Sequence, residues 1–327
     1  MRIVSRDELS RLLTMAEVIE LVERGFLLLH RKKVLMPPRA VFSAPYHDGS
    51  LLYMPVLIED DRPYLVTKII TVYPENSRLF GLPVLQGLVL VFDAVNGTPL
   101  VALDAAFTTA MRTGAAGGVA AKYLARKDSK VVTLFGAGPQ ARTQLEAVCA
   151  VLAVEKCYLV SYQDPREVSF AREMGEKLGI EVIITEDRKS AVEQAEVIIC
   201  ATTSRTPVFD GGWVRSGAHI TAIGSFKPEV RELDSETIRR AKVYVDSREA
   251  AREEAGDLII PVREGVFDWD KIEAELGEVI AGEKKGRGTP EEITVFKSVG
   301  LAVQDAVVAV GVLKKIKAAN KMVEWPQ

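Results

Sequence analysis

Residues 131–148 read VVTLFGAGPQARTQLEAV, and no other stretch limits the fold so tightly. An apolar run enters Gly136-Ala137-Gly138-Pro139-Gln140-Ala141, a match to GxGxxG/A, and a helix pattern starts at once. The match carries weight because it follows a strand, opens a helix and lies in a βαβ unit, the setting a dinucleotide-binding fingerprint requires. Gly136 would allow the tight turn, Gly138 would let the backbone approach a pyrophosphate, and Ala141 would pack the helix against the strand. The first amides of the helix would face the phosphates. The competing interpretation is a strand-to-helix turn in a Rossmann-like domain that holds no cofactor.

From residue 130 onward strands and helices alternate: KVVTLFGAG, PQARTQLEAVCAVL, KCYLVSY, PREVSFAREMGEKLG, EVIIT, DRKSAVEQA and EVIICATTS, then HITAIGS and KVYVDS. Alternation of this kind implies parallel strands with right-handed crossovers, an α/β chain with a doubly wound Rossmann sheet. The first third differs. SRDELSRLLTMAEVIELVERGFLLLH has apolar residues at helical spacing and Ser5 as N-cap. The strand-like runs AVFSA, SLLYMPVLI, YLVTKIITVY, LQGLVLVFD and PLVALDAA then follow without helices between them, set apart by turn signals at 47–49, 59–63 and 95–99. They predict a largely antiparallel or mixed sheet. FTTAMRTGAAGGVAAKYLA (107–125) is a helix of small residues that lets another backbone come close. The tail TVFKSVGLAVQDAVVAVGVLKKIKAA has one long apolar helix pattern that could return the chain to the first domain, and GEKKGRGTPEE (282–292) before it is an expected exposed loop.

A length of 327 residues suggests about two domains. Forty-two Lys and Arg against 45 Asp and Glu give a net charge of −3, which argues against nucleic acid as a partner. No apolar run reaches the ~20 residues of a membrane helix, and MRIVSRDELSRLL lacks a signal-peptide apolar region. Cys149, Cys157 and Cys200 lie far apart in or beside apolar segments and are expected as core thiols, so the cytoplasm is the expected setting. His30, His47 and His219 are expected to be structural, and the sequence shows neither Ser-His-Asp logic nor a metal-ligand cluster.

The ribose reader of a dinucleotide should sit at the end of the second strand, about 20 residues past the fingerprint. The tip reads Tyr162-Gln163-Asp164, with Arg166 close by. An acidic residue there would bond the 2′-hydroxyl of NAD, whereas an arginine can accept the 2′-phosphate of NADP. Tyr162 at the expected acidic position tips the balance slightly toward NADP and leaves the choice open. Asp164 could equally serve the turn and cap the helix after Pro165.

Four cations interrupt apolar segments: Arg39 after Pro37-Pro38, Lys68 in YLVTKIITVY, Arg112 in TTAMRTGAAGG and Lys297 in TVFKSVG, where the terminal helix pattern begins. Singly, such residues are more often snorkelling or ion-paired. Together they suggest a cationic pocket for a small carboxylate, since arginine grips a carboxylate through two parallel hydrogen bonds. A partly desolvated lysine can be poised for proton transfer near neutral pH.

These stretches, with MPPR, VTKIITVYPENSRLFGLPVLQGLVLVFDAVNGTPLVALDAAFTTAMRTGAA, IICATTS, ITAIGSFKPEVREL and TVFKSVGLAVQD, make the chain resemble the ornithine cyclodeaminase/mu-crystallin family over nearly its whole length. The resemblance implies a Rossmann domain, residues 119–299, inserted in a second α/β domain with a mixed sheet, residues 1–118 plus 300–327, which binds substrate and forms a homodimer. By resemblance, Arg39, Lys68 and Arg112 match substrate-carboxylate positions, and Thr113 lies near the cofactor phosphates. Ala201, Thr202 and Thr203 pass the adenosine side, Gly224 and Ser225 of the strand-end motif join the cofactor contacts, and Val295 to Lys297 wall the nicotinamide.

Cyclodeaminases of this family use an aspartate in G-[AG]-D-x-P to handle amine protons; here the motif reads Gly224-Ser225-Phe226-Lys227-Pro228. A phenyl ring accepts no proton, unless Glu229 or Glu232 does the aspartate's work. The resemblance is therefore to the imine-reducing members: ketimine reductases, Δ1-pyrroline-2-carboxylate reductases and alanine dehydrogenases. The expected activity is an NAD(P)H-dependent oxidoreductase that needs no metal and reduces the C=N bond of a small imino acid, with Arg39 and Arg112 on the carboxylate and Lys68 as the catalytic residue that polarises or protonates the imine nitrogen. Ornithine cyclodeamination and dinucleotide binding without catalysis are the alternatives.

Overall fold

The computed structural model describes residues 1–319. Two compact units emerge: Met1–Arg112 with the chain from Leu301 on, and Thr113–Gly300. The division falls inside the helix Ala105–Leu124, between Arg112 and Thr113, rather than at the expected 118/119. Residues 320–327 of the expected second domain lie outside the described residues.

The first unit carries seven strands: β1 Arg2–Val4, β2 Val34–Leu35, β3 Ala40–Ser43, β4 Ser50–Glu59, β5 Pro63–Val72, β6 Leu85–Asp93 and β7 Pro99–Asp104. They form one mixed sheet in the order β1-β7-β6-β5-β4-β2, with β3 also on β4; only β1 pairs in parallel. Successive strand residues point to opposite faces. On one face Met54, Val56, Val66, Ile70, Val89 and Val91 are buried. Helices Met15–His30 and Ala302–Ala318 supply the cover: the latter lies against the former and against β4, β5 and β6. Ala302–Ala318 is apolar nearly all round, the pattern of a helix buried on every side.

The sequence pattern from Ser5 to His30 divides into two helices, Arg6–Leu12 and Met15–His30, because Thr14 forms a capping box with Glu17 and restarts the helix. The expected single helix from Thr294 onward is also corrected. Thr294–Lys297 is a strand, Gly300 takes a positive φ of 82°, and the helix begins only at Ala302. β-Branched and aromatic residues 294–296 suit a strand buried on both faces, where the apolar run alone did not distinguish strand from helix.

The second unit holds β8 Val131–Phe135, β9 Lys156–Val160, β10 Glu181–Thr185, β11 Val197–Cys200, β12 His219–Ala222, β13 Lys242–Val245, β14 Ile272–Glu275 and β15 Thr294–Lys297. The sheet order is β10-β9-β8-β11-β12-β15-β13-β14 and every pairing is parallel. Strand order reverses between β8 and β11, so the crevice for a ligand opens beyond their carboxyl ends. The small-residue helix does admit a neighbour: a Cβ on Gly114 would stand 2.5 Å from the carbonyl oxygen of Thr143, in the helix Pro139–Val151. Cys157 and Cys200 are fully buried in the two apolar clusters of this unit.

Candidate active site

In the second unit the loop after β8 sits at the strand-order reversal. Gly136 has φ +107°, and a Cβ there would lie 2.6 Å from the Ala201 carbonyl oxygen, so the chain itself demands glycine. Gly138 is different. Its φ is −83°, open to any residue, and an added Cβ would meet nothing within 4 Å. It N-caps the helix Pro139–Val151, in which Ala141 is buried, and no side chain caps the first turn. Gln140 Oε1 is buried without a hydrogen-bond partner. A space that a Cβ would fill, a bare helix start and an unmet polar atom fit a bound dinucleotide pyrophosphate. Thr113 stands near the start of this unit with its carbonyl accepting a 2.7 Å hydrogen bond from Gln144 Nε2.

At the tip of β9 the half-exposed Tyr162 ring lies 5.3 Å from the Arg188 guanidinium. Gln163 adopts the left-handed region, φ 58°. Asp164 is bound to Arg166, with Nε 2.9 Å from Oδ1, and this pairing holds the carboxyl down at about 2. The loop is closed by Glu167, a residue the sequence did not single out: its carboxylate accepts from Ser161 Oγ at 2.6 Å and from the Tyr162 amide at 2.8 Å.

A second carboxylate, which the sequence offered only as a substitute proton acceptor, clamps the ends of β11 and β12. Glu232 is fully buried; its Oε1 accepts from the Thr202 amide and hydroxyl, both at 2.7 Å, and its Oε2 from the Gly224 amide at 2.7 Å. Ala201 and Thr203 flank this clamp. Burial, and then the charge of Asp257, raise the Glu232 carboxyl above the usual range. Beneath Gly224, Lys297 Nζ contacts Asp257 Oδ2 at 2.7 Å and the Ser225 carbonyl at 2.6 Å, and Ser225 Oγ donates to Asp257. Asp257 Oδ1 accepts from the amides of Glu232 and Leu233 at 2.6 and 2.8 Å. Burial alone would raise the Asp257 carboxyl, but the Lys297 ammonium and these hydrogen bonds hold it below its ordinary value. Val295, two residues before Lys297, is fully buried in the middle of β15. Phe226 stands 42% exposed in the aspartate position of the motif. Glu229 is exposed and both Glu232 oxygens are engaged, so neither is placed as a substitute proton acceptor.

The first unit gathers the cations. Lys68 projects from β5 and is 1% exposed. Its Nζ lies 2.7 Å from Asp305 Oδ2, and Arg112 Nε lies 3.2 Å from Asp305 Oδ1. Arg112 Nη1 donates to Gln304 Oε1 at 2.7 Å. Burial pulls the Lys68 ammonium down to about 7; Asp305 opposes that, while the charges of Arg112 and of Arg39, next to β3, push it further down. Gln304 and Asp305 were not singled out as site residues, although a lone carboxylate in LAVQDAVVAV was a legible signal of a buried pair.

An all-parallel Rossmann sheet with a glycine loop, and a mixed-sheet unit bearing a buried lysine among arginines, define a nicotinamide-dependent oxidoreductase. The chain belongs to the ornithine cyclodeaminase/mu-crystallin family, whose family model matches residues 2–320. It is similar to a Δ1-pyrroline-2-carboxylate reductase of Bacillus cereus, 40% identical over 310 residues and covering 94% of each chain. Among solved structures it is similar to Thermococcus litoralis Δ1-pyrroline-2-carboxylate reductase in complex with NADH and L-proline, with TM-score 0.95, 47% identity and coverage of 99% of this chain and 100% of that one. An archaeal alanine dehydrogenase dimer with bound NAD gives TM-score 0.91 at 36% identity, covering 99% of both chains.

Proposed function

We propose that this protein is an NAD(P)H-dependent reductase of the C=N bond of a small cyclic imino acid, with Δ1-pyrroline-2-carboxylate as the substrate and L-proline as the product. The observation that carries this reading is the buried Lys68, flanked by Arg112 and Arg39 and poised near neutrality. Arg39 and Arg112 bind the substrate carboxylate, the second through Nη2, the nitrogen that Asp305 on Nε and Gln304 on Nη1 do not engage. Lys68 donates a proton to the imine nitrogen, because a cationic C=N accepts hydride more readily than a neutral one. The dinucleotide, when bound at Gly136–Ala141, supplies the hydride. Thr113, Ala201–Thr203, Gly224, Ser225, Val295 and Lys297 shape that site, several of them by fixing strand ends rather than by exposing a side chain. Tyr162-Gln163-Asp164 border the ribose, with no free carboxylate at the Tyr162 position.

The test is a substrate panel followed by oxidation of NADH and of NADPH: Δ1-pyrroline-2-carboxylate, Δ1-piperideine-2-carboxylate, and pyruvate with ammonia. Ornithine is assayed separately for ammonia release. Turnover of the cyclic imines without ammonia from ornithine supports the reading; ammonia from ornithine overturns it, since Phe226 leaves no acceptor in the motif.

The protein acts as a homodimer in this account. On the sheet face opposite Lys68, Phe42, Leu51, Tyr53, Leu65 and Leu88 are all exposed, and the similar archaeal enzyme is a dimer. Leu65→Glu should convert the dimer to monomer in sedimentation; an unchanged mass would remove this face as the contact.

A further inference from the structure

Three cations converge in the first unit, and one carboxylate answers two of them. Asp305 gives one oxygen to Lys68 Nζ at 2.7 Å and the other to Arg112 Nε at 3.2 Å, and it is 1% exposed. It rises from the first turn of the helix Ala302–Ala318, whose start is held by the Leu301 amide donating to Gln304 Oε1 at 3.3 Å. Gln304 Oε1 in turn receives Arg112 Nη1, so the Gln304-Asp305 pair holds two of the three nitrogens of one guanidinium. Gln304 Nε2 is buried without a hydrogen-bond partner, which leaves a donor beside Arg112.

We infer that Asp305 is a positioning residue of the reductase reaction: it fixes the Lys68 ammonium against Arg112 and keeps the proton on Lys68 that the substrate nitrogen receives. This inference rests on the reductase reading of the same site. Among the described residues, the charged groups facing Lys68 are Asp305 from its helix, Arg112 from the helix Ala105–Leu124 and Arg39 from the segment before β3. Two of these repel the ammonium and one retains it. An amine that is buried and beside two guanidinium groups gives up its proton unless a carboxylate opposes them. Asp305 touches neither reacting atom in this scheme and acts through Lys68 and Arg112.

The experiment compares pH profiles of kcat/KM for Δ1-pyrroline-2-carboxylate reduction in wild type, Asp305→Asn and Asp305→Glu, with NADH affinity measured by fluorescence. Reduction requires protonated Lys68, so activity declines as pH rises through its pKa. Asparagine removes the retaining charge at constant shape, and the alkaline limb should move down by about one pH unit or more, costing roughly tenfold in rate above it. NADH affinity should not change. Glutamate keeps the charge but displaces it by one methylene; the limb should stay near its wild-type position while kcat falls. An alkaline limb that stays put in Asp305→Asn, or full kcat in Asp305→Glu, overturns the role of Asp305. If the asparagine variant fails to fold, the glutamate variant alone decides. Absence of wild-type turnover on any imine overturns the reductase reading and this inference with it, a result distinct from wild-type turnover with an unmoved limb.

Discussion

Lys297 Nζ and Asp257 Oδ2 lie 2.7 Å apart with both side chains fully buried, 40 residues apart in sequence, at the carboxyl end of the Rossmann sheet. The ammonium also holds the Ser225 carbonyl at 2.6 Å and Ser225 Oγ at 2.9 Å, so one ion pair fixes the first residues of the GSFKP loop after β12. A cation in an apolar strand is here a structural support for the loop after β12.

Removing one partner of such a pair leaves an uncompensated buried charge, at a cost of about 3–5 kcal/mol. Lys297→Met should therefore lower the thermal unfolding temperature clearly and weaken dinucleotide affinity by releasing the loop. Calorimetry with and without NADH checks both effects. A wild-type melting temperature in this variant would contradict the assignment of Lys297 as a loop support.

The two glycines of the fingerprint should separate in their effects. Gly136→Ala meets a positive φ of 107° and the Ala201 carbonyl 2.6 Å away, so it should destabilise the fold itself. Gly138→Ala meets only open space, so folding should be intact while NADH affinity drops, because the methyl occupies the approach of the pyrophosphate. Thermal unfolding and NADH titration of the two variants distinguish them; equal stability losses would refute the distinction.

His219 supplies a pH dependence of stability. It is fully buried between Thr294 Oγ1 at 3.0 Å and Thr221 Oγ1 at 3.1 Å, and burial, aided by the charge of Arg287, lowers it to about 3. The unfolded chain takes up a proton near pH ~6.5 that the folded chain refuses until pH ~3. Stability conferred by neutral His219 is thus complete above the unfolded value and is lost as pH falls, at about 1.4 kcal/mol per pH unit within that window. Urea unfolding at several acidic pH values should show His219→Asn with a shallower decline than wild type. Parallel declines would contradict it.

Much of this was readable in the chain because the decisive signals are local. The glycine loop announces itself within six residues, and the alternation after residue 130 announces the parallel sheet. Arg39, Lys68 and Arg112 stood out as cations in apolar surroundings. Their carboxylate partner did not, because Asp305 lies 237 residues from Lys68 and 193 from Arg112, and pairing across such distances leaves no mark in a local pattern. Glu232 was weighed as a proton acceptor, yet its role depends on two amides at strand ends that only folding brings together. The stretch from Thr294 was misread for a related reason. An apolar run buried on both faces has no alternation to separate a strand from a helix, and the break at Gly300 became visible only as a backbone angle.

The central claim is that Lys68 gives the proton to a C=N bond while the dinucleotide is held elsewhere by the glycine loop. Initial rates of NADH oxidation with Δ1-pyrroline-2-carboxylate, for wild type and Lys68→Ala, test it most directly when paired with NADH titration of both. In the variant kcat should fall by roughly 10²–10⁴-fold, with NADH affinity nearly unchanged. Wild-type turnover in Lys68→Ala would contradict it.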